Sequence, residues 1–173
     1  MVNDLKIKSV SFEQAEFKNG KTESVKKVFS KYDKHGNLIV ESEFDADSIF
    51  KSKETYVYNN HNDVVEHNEF DVNGKLFKKT VSIYDSFHDK INEMVYDGDN
   101  SLEEKMELKY NNMGQKEEEI TTASDNKLKK RITYKYDKKG SLSEKNVYNG
   151  NGEMISSRKY LYEYWKEMKL FLY

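Results

Sequence analysis

The stretch YDKHGNL, residues 32–38, returns almost unchanged as YDKKGSL at residues 136–142. Stepping forward from Tyr32 by twelve and then fourteen positions in alternation reaches Phe44, Tyr58, Phe70, Tyr84, Tyr96, Tyr110, Thr122, Tyr136, Tyr148 and Tyr162. Ten of these eleven positions are aromatic, in a chain whose aromatic content is 13%. Chance does not build such a column; it is an internal repeat whose full period carries Tyr32 to Tyr58 and Tyr58 to Tyr84.

Neighbouring columns give the repeat its chemistry. One residue after the anchor stands Asp or Asn, at 33, 45, 59, 71, 85, 97, 111, 137 and 149, with Ala123 and Glu163 as exceptions. Four residues after it stand Gly36, Gly74, Gly114, Gly140 and Gly152, or Asn at 62, 100 and 126. An Asp or Asn side chain bonds the backbone two residues on, and Gly or Asn accepts a positive φ, so these columns describe a turn. Six residues after the anchor an apolar residue resumes at Leu38, Phe50, Val64, Leu76, Leu102, Leu128, Leu142, Met154 and Met168, while Lys90 and Lys116 interrupt the series.

Between turns lie segments such as FKSKETYVY (50–58) and LKKRITYKY (128–136), too short for helices and rich in strand formers. Each full period therefore holds two strands. The expected architecture is all-β: an antiparallel meander of roughly thirteen strands joined by loops of about five residues. Residues 1–31 add an N-terminal hairpin turning at FKNGK (17–21), residues 32–165 form the array, and residues 166–173 supply a C-terminal edge strand. The structural repeat residues are Tyr32, Tyr58, Tyr84, Tyr110, Tyr136 and Tyr162 with Gly36, Gly74, Gly114, Gly140 and Gly152.

Composition favours a folded chain with a thin core. Of 173 residues 36% are apolar and 35% charged, yet the net charge is only −2 and aromatics are frequent, unlike disordered chains. The sheet is expected to be elongated, twisted and partly curled, because so lean a chain cannot fill a barrel. There is no Cys, which excludes disulfides, thiolate metal sites and a Cys nucleophile. No apolar run approaches the ~20 residues of a spanning helix, and the near-neutral charge disfavours a nucleic-acid binder.

Both steps of the repeat are even, so strands in simple register put every anchor on one, even-numbered, face. The odd face is then charged from 103 to 145, with opposite charges pairing across strands, and apolar between 39 and 95. That apolar set, Ile39, Val57, Val65, Phe77, Val81, Ile83, Ile91 and Val95, is the candidate partner-binding surface, because a second apolar side asks for a cover. The apolar KLFLY (169–173) leaves an open edge suited to edge-to-edge self-association.

The Tyr-Asp-x-x-Gly-x-Leu pattern, seen as YDKHGNL, FDVNGKL, YNNMGQK, YDKKGSL and YNGNGEM, resembles the YD repeats of bacterial RHS and wall-associated proteins. The resemblance covers about residues 30–165. It implies β-hairpins building curved sheets in secreted or surface proteins, used for binding or for enclosing a toxin domain. The Gly-Arg pair common in RHS repeats is missing, since Arg131 and Arg158 do not follow Gly, and the array is too short to enclose a cargo alone.

Other candidates have plainer explanations. His35 and His61 occupy equivalent turn positions, with His88 one residue later in the next turn, and a stacked His ladder would suit Zn, Ni or Cu. Met113 and Lys139 take the same place in later copies, so polar turn residues account for them. Asp-rich turns such as DGDNS (97–101) offer too few converging carboxylates for calcium. A Tyr column in nearly every copy is a packing element before it is a sugar platform. The acidic EEE (117–119) and basic KLKKR (127–131) flank one turn and are expected to pair across it.

No nucleophile stands with a matching His and acid, and no Gly-rich phosphate loop occurs; neither enzyme activity nor a cofactor or metal is expected. The expected function is a non-enzymatic structural and binding module of a bacterial surface or exported protein, recognising a protein or glycan through a sheet face without inserting into a membrane. The alternative is a cytoplasmic partner-binding protein, such as an immunity or chaperone-like factor. A third is a glycan-contacting accessory of a carbohydrate-processing enzyme.

Overall fold

The computed structural model describes residues 6–165. Every regular element among them is a strand. The twelve are β1 (Ser9–Lys18), β2 (Lys21–Tyr32), β3 (Leu38–Asp45), β4 (Phe50–Tyr58), β5 (Val64–Phe70), β6 (Leu76–Tyr84), β7 (Lys90–Asp97), β8 (Leu102–Tyr110), β9 (Lys116–Ala123), β10 (Leu128–Tyr136), β11 (Leu142–Asn149) and β12 (Met154–Lys159). They pair antiparallel in sequence order as one meander, and each touches only its neighbours in the chain. β1 and β12 do not meet, so the twisted sheet stays open. The edge strand expected at 166–173 lies outside the described residues.

The loops follow the chemistry read from the columns. In the first, the Asp33 carboxylate accepts from the backbone N–H of His35 at 2.7 Å and of Asn37 at 2.9 Å. The Asp33 N–H donates to the Asn37 carbonyl at 2.9 Å, closing the loop. The same pair of side-chain bonds recurs at Asp45, Asn59, Asp71, Asp85, Asp97, Asn111, Asp137 and Asn149. Among the described loops of this kind, the one with Ala123 lacks it. The slot four after the anchor has positive φ in all ten loops, filled by Gly, by Asn, and also by Ser48 (65°) and His88 (68°). The N-terminal hairpin turns more tightly, on Asn19 and Gly20 with φ of 52° and 74°, as a two-residue hairpin turn requires.

The register corrects the expectation of one anchor face. At each five-residue loop two residues oppose one: Lys31 faces Val40 and Tyr32 faces Leu38, leaving Ile39 as the extra residue of a bulge. Each bulge shifts parity, so within strand bodies even residues face odd ones, as in Lys53 opposite Phe70 and Tyr56 opposite His67. We call the two sides face A and face B. Face A carries the odd residues of β2, β4, β6, β8, β10 and β12 and the even residues of the strands between them. The anchors therefore divide: Tyr32, Tyr58, Tyr84, Tyr110 and Tyr136 stand on face B along one rim, and Phe44, Phe70, Tyr96, Thr122 and Tyr148 on face A along the other.

The core is thin, as the composition implies. The only apolar residues fully buried are Val28, Leu108 and Ile132, all on face B among the described residues, joined there by Ser30 and Ser82. Stability is spread along the meander as strand-to-strand contacts, in the manner of a solenoid.

Candidate functional site

The candidate site is the rim formed by loops 32–38, 58–64, 84–90, 110–116 and 136–142, here the tyrosine rim. Each Tyr anchor from the second loop on turns its hydroxyl to a backbone carbonyl of the preceding strand. Tyr58 donates to Leu38 at 2.8 Å, Tyr84 to Val64 at 3.0 Å, Tyr110 to Lys90 at 2.8 Å, Tyr136 to Lys116 at 2.8 Å and Tyr162 to Leu142 at 2.8 Å. These bonds hold the ring at a fixed height above the bulge, where a free carbonyl would otherwise face solvent.

Successive loops also reach one another. The Asn37 amide donates to Asn62 at 2.8 Å, His88 Nδ1 lies 3.1 Å from the Asp63 carboxylate, and the Gln115 amide donates to the Gly140 carbonyl at 2.8 Å. At the last turn Tyr164 bonds Ser141 at 2.7 Å and Asp137 at 3.1 Å, with Lys139 3.5 Å from its ring centroid.

Two open grooves lie between these loops. The first, about 460 Å³, is lined by Asp33, His35, Asn37, Tyr58, Asn60 and Asn62 with Ile39 and Val57 beneath. The second, about 620 Å³, lies two full repeats further along and is lined by Asp85, Phe87, Asp89, Tyr110, Asn112 and Met113. Where a groove would fall between them, the His61 and His88 rings meet at 4.3 Å. The groove walls offer amides, carboxylates and a tyrosine edge, which suits hydrogen-bonding recognition.

Electrostatics keep the rim anionic at its caps. Desolvation pushes the Asp33 carboxyl up, but bonds from the Asn37 amides and the His35 N–H outweigh it and hold it down at about 2. The Ser141 backbone amide likewise lowers Asp137. Beside the first groove, Tyr56 donates to Glu54 at 2.5 Å, and His67 Nε2 lies 2.9 Å from the same oxygen while its ring stacks on Tyr56 at 4.6 Å. Burial first, then that bond, pushes the Tyr56 hydroxyl pKa upward.

The apolar set expected on one face is divided by the register. Ile39, Val65, Ile91 and Val95 stand on face B; Val57, Phe77, Val81 and Ile83 stand on face A. The reason is the bulge, which even step lengths conceal. Of the turn histidines, His61 and His88 meet ring to ring, and among the described residues no three His, Asp or Glu side chains are arranged to hold a metal ion. EEE and KLKKR do pair across their turn, Arg131 to Glu118 at 2.6 Å, although Glu119 pairs with Lys116 and Lys129 with Glu104.

One column escaped the sequence reading. Lys27, Lys53, Lys79, Lys105 and Arg131 recur once per full repeat and stand on face A directly opposite Phe44, Phe70, Tyr96, Thr122 and Tyr148. Lys53 lies 4.0 Å from the Phe70 centroid and Arg131 5.6 Å from that of Tyr148. The signal was the shared period; assuming a single anchor face hid the pairing.

No family model matches the chain, and no curated protein matches it. Its fold does resemble solved structures. In the crystal structure of TcdB2-TccC3-TEV, 90% of this chain superposes with a TM-score of 0.61 at 15% identity; in TcdB2-TccC3-Cdc42, 87% superposes with 0.58 at 14%. The chain spans 8% of the length of either. At such identity the likeness is one of fold.

Proposed function

We propose that this chain is a non-enzymatic structural and binding repeat module of a bacterial surface or exported protein, and that it recognises a protein or glycan along the face B side of the tyrosine rim. The observation carrying this reading is the pair of like-built grooves two repeats apart, each floored by an anchor tyrosine and walled by loop amides and carboxylates. Four strands separate them, about 19 Å at sheet spacing, so an extended ligand with repeated polar groups would engage both. The fold likeness to TcdB2-TccC3 chains supports a β-repeat module, and the resemblance to YD repeats supports the surface or exported setting.

Asn60 and Asn112 are exposed loop tips that line the grooves and hold no cap, so Asn60→Trp with Asn112→Trp fills both grooves without loosening the turns. A glycan array and a panel of extracellular protein domains probed with the wild type and this variant test the reading. Binding abolished by the tryptophans at an unchanged melting temperature supports it. A ligand that binds both proteins equally, or none found in either panel, counts against it.

A further inference from the structure

The two faces differ in what they leave to solvent. Among the described residues of β2–β12, the large apolar strand residues that stay exposed are Phe29, Val57, Phe77, Ile83, Met154 and Ile155, at 37% to 62% of their surface. All but Met154 stand on face A, whereas the buried Val28, Leu108 and Ile132 stand on face B. Face A also bears the cation column, recurring at every second strand, about 10 Å apart. Basic and apolar groups thus share one side of a sheet whose overall charge is slightly negative.

We propose that face A is a peripheral docking surface for an anionic lipid bilayer. A bilayer interface takes apolar side chains into the headgroup boundary and attracts Lys and Arg to acidic headgroups. Lysine stems lie along apolar surface while their charges stay in water. Two of the rings opposite the column, Phe70 and Tyr148, already carry Lys53 and Arg131 over their faces, which leaves them less open to a stacking sugar or base. Val57, Ile83 and Ile155 would give such a ligand no hydrogen bond.

The column is poised rather than neutralised. Lys79 lies 3.0 Å from Glu66, Lys105 2.7 Å from Glu107 and Arg131 2.6 Å from Glu118. The Lys105–Glu107 pair is exposed and holds only weakly, while the other two are half-buried; all three orient the cations in the free protein, and docking transfers them to lipid phosphates. Docked this way, the sheet keeps face B and its grooves turned from the bilayer. Apart from Val57, which also lines the first groove, the exposed apolar residues and the cation column of face A lie outside both grooves, so the Asn60→Trp and Asn112→Trp variant retains vesicle binding.

Flotation of the 173-residue chain with phosphatidylcholine vesicles, with and without phosphatidylglycerol, tests the proposal. Binding is expected only with phosphatidylglycerol and weakens with added salt. Replacing Lys53, Lys105 and Arg131 by Gln lowers it about fivefold for each cation removed. Phe29→Ser with Phe77→Ser and Ile83→Ser also lowers it, and carries the test alone should the charge variant lose its β spectrum. Lys130→Gln with Arg158→Gln, on face B, leaves it unchanged. Equal binding to both vesicle types, no binding, or equal loss from the face B variant overturns the proposal. Retention on soluble polyglutamate without vesicle binding overturns it in favour of a soluble acidic partner.

Discussion

The tyrosine rim and the opposite, phenylalanine rim use the same capped loop and stitch it to its neighbours differently. On the tyrosine rim, hydroxyls cross to backbone carbonyls and loop side chains bond to the next loop. On the other rim Phe44 and Phe70 have no hydroxyl and Thr122 no ring. There, beside an exposed Lys75–Asp99 ion pair at 3.7 Å between successive loops, the loops close by backbone approach: Gly98 packs on the Leu76 carbonyl, Gly150 on that of Leu128, and the Ser124 N–H donates to Glu103 at 3.1 Å. One repeat thus covers its bulge carbonyls with phenol donors at one end and with closely packed glycine backbone at the other.

The largest expected effect falls on the phenylalanine rim. A Cβ on Gly150 would lie 2.5 Å from the Leu128 oxygen, and one on Gly98 would collide with that of Leu76. Gly98→Ala and Gly150→Ala should each cost about 2–3 kcal/mol in urea unfolding, the scale of overpacking. Gly74→Ala, where the added Cβ meets nothing within 4 Å but φ is +74°, should cost about 1–2 kcal/mol. If Gly74→Ala proves the worse, close approach is not what distinguishes this rim.

Next comes the tyrosine rim. Tyr110→Phe removes the bond to Lys90 and should cost about 1 kcal/mol, whereas Tyr148→Phe, with no such crossing bond, should cost nearly nothing. Equal melting temperatures for the two would erase the distinction between rims. A smaller gain is expected from Ala123→Asp, which restores the missing cap in loop 122–128 and should add about 0.5–1 kcal/mol.

The smallest effect at neutral pH, and a telling one in acid, belongs to the caps. Asp33, Asp71 and Asp137 have carboxyls held below their ordinary value of 3.8, Asp33 at about 2. A depressed folded pKa gives stability that is present above the unfolded value and lost as pH falls through the folded one. The fold should therefore weaken from near pH 4 down to about 2. Replacing all three by Asn, which already caps at 59, 111 and 149, should leave the neutral melting temperature alone and flatten its fall below pH 4. An unchanged acid profile would show that the caps do not set it.

Much of the fold was legible because each requirement recurs. One Asp-x-x-Gly loop is ambiguous, but the column of caps, left-handed slots and aromatic anchors fixed strand order and turn type in advance. Even the choice between rims was written: Tyr stands at 32, 58, 84, 110, 136 and 162 without exception, while Phe, Tyr and Thr alternate on the other series. The faces were not legible. Whether Ile39 is a bulge residue or a pleat residue depends on hydrogen bonds between Tyr32 and Leu38 that no letter records, and one extra residue moves every later side chain to the other side. The grooves and the lysine column depend on that shift, so they emerged only from the register.

That bulge also sets the quantum in which such a protein can lengthen or shorten over generations. A duplication of one whole repeat, two strands with their two loops, crosses two bulges and returns the chain to the same rim and face, so the new copy inherits every contact of its template. A gain of a single strand and loop ends the chain on the opposite rim, and a single inserted residue exchanges the outer and inner surfaces of all that follows. Whole double-strand copies are the change this architecture absorbs, which accounts for two nearly identical heptapeptides surviving four copies apart.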